Sequence, residues 1–163
     1  MKKVLFFGLL SSLVLLTFTG CMDKDITCND DAIKEKVIEL TNPSLEEQLI
    51  MMNIKETSGM QDLLSYALIK QTEALGIEAN YSKIKDYDKF KKNANEFVST
   101  ARYEFKNVTT TMKDENLNKI ECKSELIYSL NNSLPIEFNV NYLAQLSDDK
   151  KSTNIEVLGF EVK

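Results

Sequence analysis

The sequence predicts an α+β domain in which N-terminal helices pack on a C-terminal four-stranded antiparallel meander. Apolar residues recur at helical spacing over about residues 30–100 and then alternate with polar residues over about 103–162. Short polar turns separate the alternating segments, which favours pairing of consecutive strands. One face of such a meander is apolar, and the amphipathic helices are the available cover for it.

The first helix is expected to begin after Asn29, a suitable N-cap, with carboxylates in its first turn. Its expected inward residues are Ile33, Val37 and Leu40. The segment Asn42-Pro43-Ser44 predicts the end of this helix. Ser44 and Glu47 then have the spacing of a capping box, which predicts the start of a second helix.

The second helix is predicted to end or kink at Ser58-Gly59. Apolar residues at helical spacing continue beyond this point as far as Gly76, a natural C-cap. Its expected apolar face comprises Leu45, Leu49, Met52, Leu64, Ala67, Leu68 and Leu75. A third helical segment is predicted from about Ser82 to Thr100. Its expected apolar face comprises Tyr87, Phe90, Ala94, Phe97 and Ala101.

Four strands follow. The first runs from about Tyr103 to Met112, with a phase change near Asn107 that predicts a bulge. The second and third present Ile120, Cys122, Ser124, Leu126 and Tyr128, and then Ile136, Phe138, Val140 and Tyr142, on one face. The fourth runs from about Thr153 to Val162, with a second phase change at Leu158-Gly159. The expected turns are 114–116, 131–133 and 147–151.

The N-terminus reads MKKVLFFGLLSSLVLLTFTGC, with two lysines, an apolar run from Val4 to Leu16 and the small residue Gly20 before Cys21. It resembles a bacterial lipoprotein signal with a lipobox, although Phe18 and Thr19 depart from the usual Leu and Ala or Ser. The resemblance implies cleavage between Gly20 and Cys21 and acyl chains such as palmitate on Cys21. One alternative is a transmembrane anchor, although the apolar run is short for a membrane-spanning helix. The other is an ordinary cleaved signal peptide that leaves Cys21 as a plain thiol.

On this interpretation residues 1–20 are a signal peptide, 21–29 a lipidated tether and 30–163 a single domain. The protein would be exported and held on a membrane by its acyl chains. Met22 occupies the position where some bacteria place Asp to retain a lipoprotein at the inner membrane. The expected location is therefore the outer membrane, on its periplasmic face or at the surface, or the cell membrane where there is only one.

Besides Cys21 the chain has two cysteines, Cys28 and Cys122. In an oxidising compartment such a pair predicts a disulfide, the alternatives being two buried thiols or a bond to another protein. The order of helices and strands resembles the cystatin-like and NTF2-like folds and small envelope lipoproteins of that kind. That resemblance also implies a Cys28–Cys122 bond.

Composition excludes several chemistries. The chain has no histidine, which excludes Ser-His-Asp and Cys-His catalysis and most transition-metal sites. The formal charge of the chain is −5, and it falls to −7 without the two lysines of the leader. This negative charge, with Arg102 as the single arginine, argues against nucleic acid as a partner. The acidic residues around Asp23–Asp31 could be interpreted as calcium ligands, but the glycine and the glutamate of an EF-hand loop are missing. A solvated acidic tether is therefore expected there. No cofactor or metal is expected.

Two further features have more than one interpretation. Asn80 lies in Glu78-Ala79-Asn80-Tyr81-Ser82, which fits an extended bacterial N-glycosylation sequon, whereas the nearby Tyr81 and Tyr87 are expected to pack helices. Four apolar residues of the predicted sheet could line a ligand-binding cup, but such residues more often form the core beneath the helices. They are Phe138, Tyr142, Phe160 and Val162.

The expected function is that of a non-enzymatic, lipid-anchored protein-binding module that contacts another envelope or extracellular protein. One alternative is an immunity or inhibitor lipoprotein against a toxin or lysozyme, since the negative charge suits a basic target. The other is a cell-wall hydrolase that uses paired carboxylates, although no acid pair is singled out by its spacing.

Overall fold

The computed structural model describes residues 25–130 and 134–163. The helices are α1 (Asp31–Thr57), α2 (Met60–Ala74) and α3 (Tyr87–Thr100), with a 3-10 turn at Tyr81–Lys83. The strands are β1 (Arg102–Asp114), β2 (Lys119–Ser129), β3 (Ile136–Leu146) and β4 (Thr153–Val162). They form one antiparallel sheet in the order β1-β2-β3-β4. The predicted α+β fold with a C-terminal meander is confirmed, and the finer likeness to cystatin-like or NTF2-like folds stays a prediction.

Both predicted bulges are present. In β1 the register shifts between Lys106 and Thr109, where Asn107 adopts a left-handed φ of 52°. In β4 the pairing passes from Gly159 directly to Val157, so Leu158 is the extra residue. Because each bulge adds one residue, the apolar phase changes there and the strand bends. The expected turn at 131–133 lies outside the described residues.

The inner face of the sheet is the core of the domain. Phe138 and Tyr142 are buried, and the Phe138 and Phe160 rings stack with centroids 4.3 Å apart. Val162 lies at the margin and is 57% exposed. Phe138, Tyr142 and Phe160 therefore lie between the sheet and the helices, as the core interpretation expected, whereas Val162 does not.

The predicted helix end at Pro43 is wrong, because α1 continues through it to Thr57. The buried residues before and after the proline form one stripe: Ile33, Val37, Ile38, Thr41, Leu45, Leu49, Ile50 and Ile54. Burial of this stripe outweighs the roughly 3 kcal/mol that an interior proline costs a helix. Ser44 is therefore inside α1 and caps no helix. Leu40 and Met52, both expected on the apolar face, are 40% and 46% exposed.

Polar groups beside Pro43 are partnered within the core. The buried Thr41 hydroxyl donates to the Val37 carbonyl at 2.9 Å and lies 3.3 Å from the Tyr128 hydroxyl. Tyr128 donates in turn to Asn42 Oδ1 at 3.3 Å. These contacts tie α1 to β2 beside its proline, so the helix keeps its place on the sheet there.

Two other helix starts differ from expectation. Asp30, rather than Asn29, caps α1, since its carboxylate accepts from the Ala32 amide at 3.0 Å. The helix predicted from Ser82 begins at Tyr87, after the 3-10 turn. Asp86 between them has a left-handed φ of 59°, which interrupts the helical hydrogen bonds.

Cys28 and Cys122 are bonded, with 5.7 Å between their Cα atoms. The Tyr142 hydroxyl donates to the Cys28 carbonyl at 2.9 Å, and Ile26 is buried two residues earlier. The chain is therefore fixed to the sheet from residue 26 onward, before the first helix begins. Within the described residues, no helix is both long and apolar enough to cross a bilayer.

We expect Pro43→Ala to raise the free energy of unfolding by about 1–3 kcal/mol, because alanine restores the helical hydrogen bond that proline removes. Urea unfolding followed by circular dichroism measures this. Ser44→Ala is the matched control and should change little. A loss near 1 kcal/mol from Ser44→Ala would instead indicate a helix N-cap at that residue.

Reduction of the Cys28–Cys122 bond, or the double change Cys28→Ala and Cys122→Ala, is expected to lower the free energy of unfolding by roughly 4–5 kcal/mol. The reason is that the bond closes a loop of 94 residues, whose freedom the unfolded chain regains. Denaturant titration with and without reductant measures the difference. An unchanged midpoint would contradict a stabilising role.

Burial raises the pKa of Tyr142 to about 12, whereas an unfolded tyrosine ionises near pH 10. Its contribution to stability is therefore complete below about pH 10 and is lost as the pH rises towards 12. We expect Tyr142→Phe to make the alkaline decline of the protein shallower, although buried tyrosines such as Tyr66 and Tyr128, whose pKa is also raised, still contribute to it. At pH 7 the change should cost about 1 kcal/mol for the lost hydrogen bond. Urea titrations at several pH values measure both, with Tyr103→Phe, at an exposed site, as control. An equally steep decline in Tyr142→Phe would refute the assignment.

Candidate functional site

The residues singled out in the sequence lie in different places. Gly20 and Cys21 fall outside the described residues, and Cys28 and Cys122 are the disulfide in the core. Asn80 is exposed before the 3-10 turn, where its Oδ1 accepts from the amide and the hydroxyl of Ser82 at 3.0 and 2.6 Å. Glycosylation of Asn80 stays a prediction, and these residues form no common site.

A surface that the sequence did not single out lies on the helical side of the fold. α1 and α2 form an antiparallel hairpin joined at Ser58 and Gly59, and Gly59 has a positive φ of 86° that glycine adopts without strain. The inner face of α2 packs on α1 through Tyr66, which is 2% exposed, with Leu63 and Ile69 beside it. α2 is thus held by one face only.

The opposite face of α2 is apolar and uncovered. We call it the α2 outer face; it comprises Met60, Leu64, Ala67, Leu68, Gln71 and Leu75. Leu64 and Leu68 are 60% and 64% exposed, and Leu75 is 74% exposed. The prediction that Leu64, Ala67, Leu68 and Leu75 pack inward is therefore wrong. The reason is that α2 is apolar on both faces, and the described part of the chain brings α1 against one of them.

The α2 outer face also carries no charge. At 100° per residue, the charged residues of α2, namely Asp62, Lys70 and Glu73, fall on the inner half of the helix or its border. The salt bridge between Lys70 and Glu73, at 2.8 Å, lies on that side too. An exposed apolar stripe of this length without flanking charge is typical of an interaction surface.

A second apolar surface lies at one end of the domain. A groove of about 360 Å³ separates the C-terminal half of α1 from the start of α2 and the end of β4. We call it the distal groove; it is lined by Gln48, Met51, Met52, Lys55, Leu63 and Val162. Methionines adapt their shape readily, which suits a surface that receives apolar side chains of another molecule.

The described chain begins at the other end of the domain. Asp25 and Ile26 line a hollow of about 220 Å³ with the β1–β2 turn, and the N-terminus of α1 lies beside the start of β4. Because α1 runs along β4 from Thr153 towards Val162, the distal groove is at the far end from Ile26. A helix of 27 residues separates the two ends by about 40 Å.

Three tyrosines hold the segment that follows α2. The rings of Tyr81 and Tyr87 stack with centroids 4.3 Å apart, and both lie within 6.1 Å of the Tyr66 ring. Burial raises the pKa of Tyr66, and the carboxylate of Glu47 raises it further. The Tyr81 hydroxyl donates to Glu73 at 2.9 Å. The cluster packs loop against helix, in agreement with the packing role expected of Tyr81 and Tyr87.

The described carboxyls whose pKa is clearly shifted do not have the character of a general acid for glycoside hydrolysis. Such a group needs a raised pKa. The carboxyls with a shifted pKa are lowered instead: Glu73 by its bond from Lys70, Glu125 by its bond from Lys163 and Asp149 by its bond from Ser147. Across residues 25–130 and 134–163, no group of three acid or cysteine side chains is placed to hold a metal ion.

Comparison with protein families, with curated proteins and with solved structures finds no match to this chain. The site is therefore defined by its own geometry. Sequence reasoning assigned Leu64, Ala67 and Leu68 of α2 to the core and did not name the residues that pack inward. The signal that could have separated the two sets is the charge-free arc on one side of the helix. Leu63, Tyr66 and Ile69 already supply a complete inner face.

Proposed function

We propose that the protein is a lipid-anchored, non-enzymatic binding module of the cell envelope that receives another envelope or extracellular protein in its distal groove. The observation that carries the proposal is the position of this groove. Its apolar walls open at the end of the fold opposite the entry of the tether, on side chains that no other part of the described chain covers.

The tether would orient the domain on the membrane. Ile26 is buried and Cys28 is bonded to β2, so at most five residue steps separate Cys21 from a fixed point of the fold. Five steps span about 17 Å when fully extended. Acyl chains on Cys21 would therefore hold the Ile26 end close to the lipid and present the distal groove away from it.

The chemistry of the groove favours a partner that inserts apolar side chains. Met52 and Val162 are 46% and 57% exposed, and Met51 and Leu63 form half-buried walls. Gln48 and Lys55 at the rim supply polar contacts. An apolar centre with a polar rim is the usual anatomy of a protein interface. Small-ligand binding is less well supported, because the groove is a shallow, open surface.

We expect a photo-crosslinking residue at Met52, in the full-length protein in its native envelope, to capture one protein of defined mass. Mass spectrometry identifies it and separates an envelope partner from a toxin or lysozyme target. In a second protein the crosslinker is placed at Val162 and Met52→Glu introduces a charge into the groove. This change should reduce capture at least tenfold. No adduct at either position would refute binding in the distal groove.

Two controls complete the experiment. Leu117→Glu places the same charge on a residue 55% exposed in the β1–β2 turn, far from the groove, and should leave capture unchanged. Labelling with a clickable fatty acid should mark the wild type and not Cys21→Ser. A soluble, unlabelled wild type would overturn the anchor while leaving the groove to be judged on its own capture result.

A further inference from the structure

The distal groove leaves the α2 outer face unused, and this face lies on the side of the domain rather than at its end. We infer that it pairs with the α2 outer face of a second copy of this chain in the same membrane leaflet. The inference rests on the lipid anchor of the proposed function but not on the groove.

The spacing along α2 fits a helix pair. Met60, Leu64, Ala67, Gln71 and Ala74 follow one another at intervals of four, three, four and three residues. This alternation is the seam of a two-stranded coiled coil over two heptads. Leu68 and Leu75 flank the seam on one side and widen its apolar contact.

The lack of charge favours a second copy over an unlike partner. In a parallel pair of identical helices each seam residue faces its own copy, so any charge on the seam would meet its own sign. The α2 outer face has none, and Lys70 at its border is already paired with Glu73. Gln71 is the single polar seam residue, and it would meet its own copy, with which an amide can exchange hydrogen bonds.

The exposed area is of the size that a dimer needs. Met60, Leu64, Leu68, Leu75 and Ile77, just past the helix, are 56–74% exposed. Together they offer on the order of 400 Å² of apolar surface. Each partner of a standard interface contributes roughly 800 Å², a little over half of it apolar. The α2 outer face and Ile77 together therefore nearly supply the apolar half of one side.

Attachment to one leaflet would set the direction of pairing. Two chains with the same short tether hold α2 at the same height, and a twofold axis between them must stand normal to the bilayer. Since α2 runs from the distal end back towards the tether, the two helices would pair in parallel, each residue facing its copy. Confinement to the membrane raises the effective concentration, which favours so short a seam.

The test is disulfide crosslinking in membranes. Gln71→Cys in the full-length, anchored protein should form a covalent homodimer on brief oxidation, because seam positions face their own copies. Asn95→Cys, on an exposed turn of α3, is the matched control and should stay monomeric. Adding Leu64→Glu should reduce the Gln71→Cys dimer at least tenfold, whereas adding Leu117→Glu should not.

The outcomes separate this inference from the proposed function. Failure of Gln71→Cys to give a homodimer in a protein that carries its fatty acid overturns the pairing, whether or not Met52 captures a partner. A crosslink from a photoreactive residue at Leu68 to a protein of another mass also overturns it. The circular dichroism spectrum of Leu64→Glu should match that of the wild type, because residue 64 is exposed. If Leu64→Glu does not fold, Leu68→Lys takes its place in the test.

Discussion

The attachment of the chain to the sheet at residues 26–28 is the constraint on which the arrangement depends. The Cys28–Cys122 bond joins the segment before the first helix to the second strand, and the Tyr142 hydroxyl holds the Cys28 carbonyl at 2.9 Å. α1 begins three residues later, so its start is fixed at one end of the sheet. Every surface described above takes its position from that point: the tether end, the distal groove and the side on which α2 lies.

From this start, α1 runs along β4 from Thr153 to Val162 and contacts Tyr128 of β2 on the way. Its buried stripe continues through Pro43, and the neighbouring Thr41 and Asn42 are bonded to Tyr128 of β2. An interior proline destabilises a helix by about 3 kcal/mol, whereas each large apolar side chain buried in the core stabilises the fold by about 1.5–3 kcal/mol. The tertiary contacts on both sides of the proline therefore decide that α1 is one helix.

α2 differs from the other helices because it is apolar on two faces and packed on one. Tyr66 and its neighbours fasten the inner face to α1, and the tyrosine cluster with Tyr81 and Tyr87 holds the loop that follows. The helix is thereby fixed while Leu64 and Leu68 stay in solvent. Two apolar surfaces that the described residues leave uncovered result, one at the end of the domain and one on its side.

The sequence by itself determined the elements whose signals are local. Alternation placed the four strands and buried residues such as Leu126 and Tyr128, and the two downstream cysteines predicted their bond. The phase changes at Asn107 and Leu158 marked two of the three register shifts, and the shift between Thr110 and Met112 was not predicted. Periodicity placed a helix over α2 but selected its exposed residues and did not name the buried Tyr66. Only the tertiary structure decided that α1 passes through Pro43 and that Leu64, Leu68 and Leu75 stay outside. A pattern reports which residues are apolar and how they repeat, whereas burial depends on what surface the rest of the chain can bring against them, and here α1 covers a single face of α2.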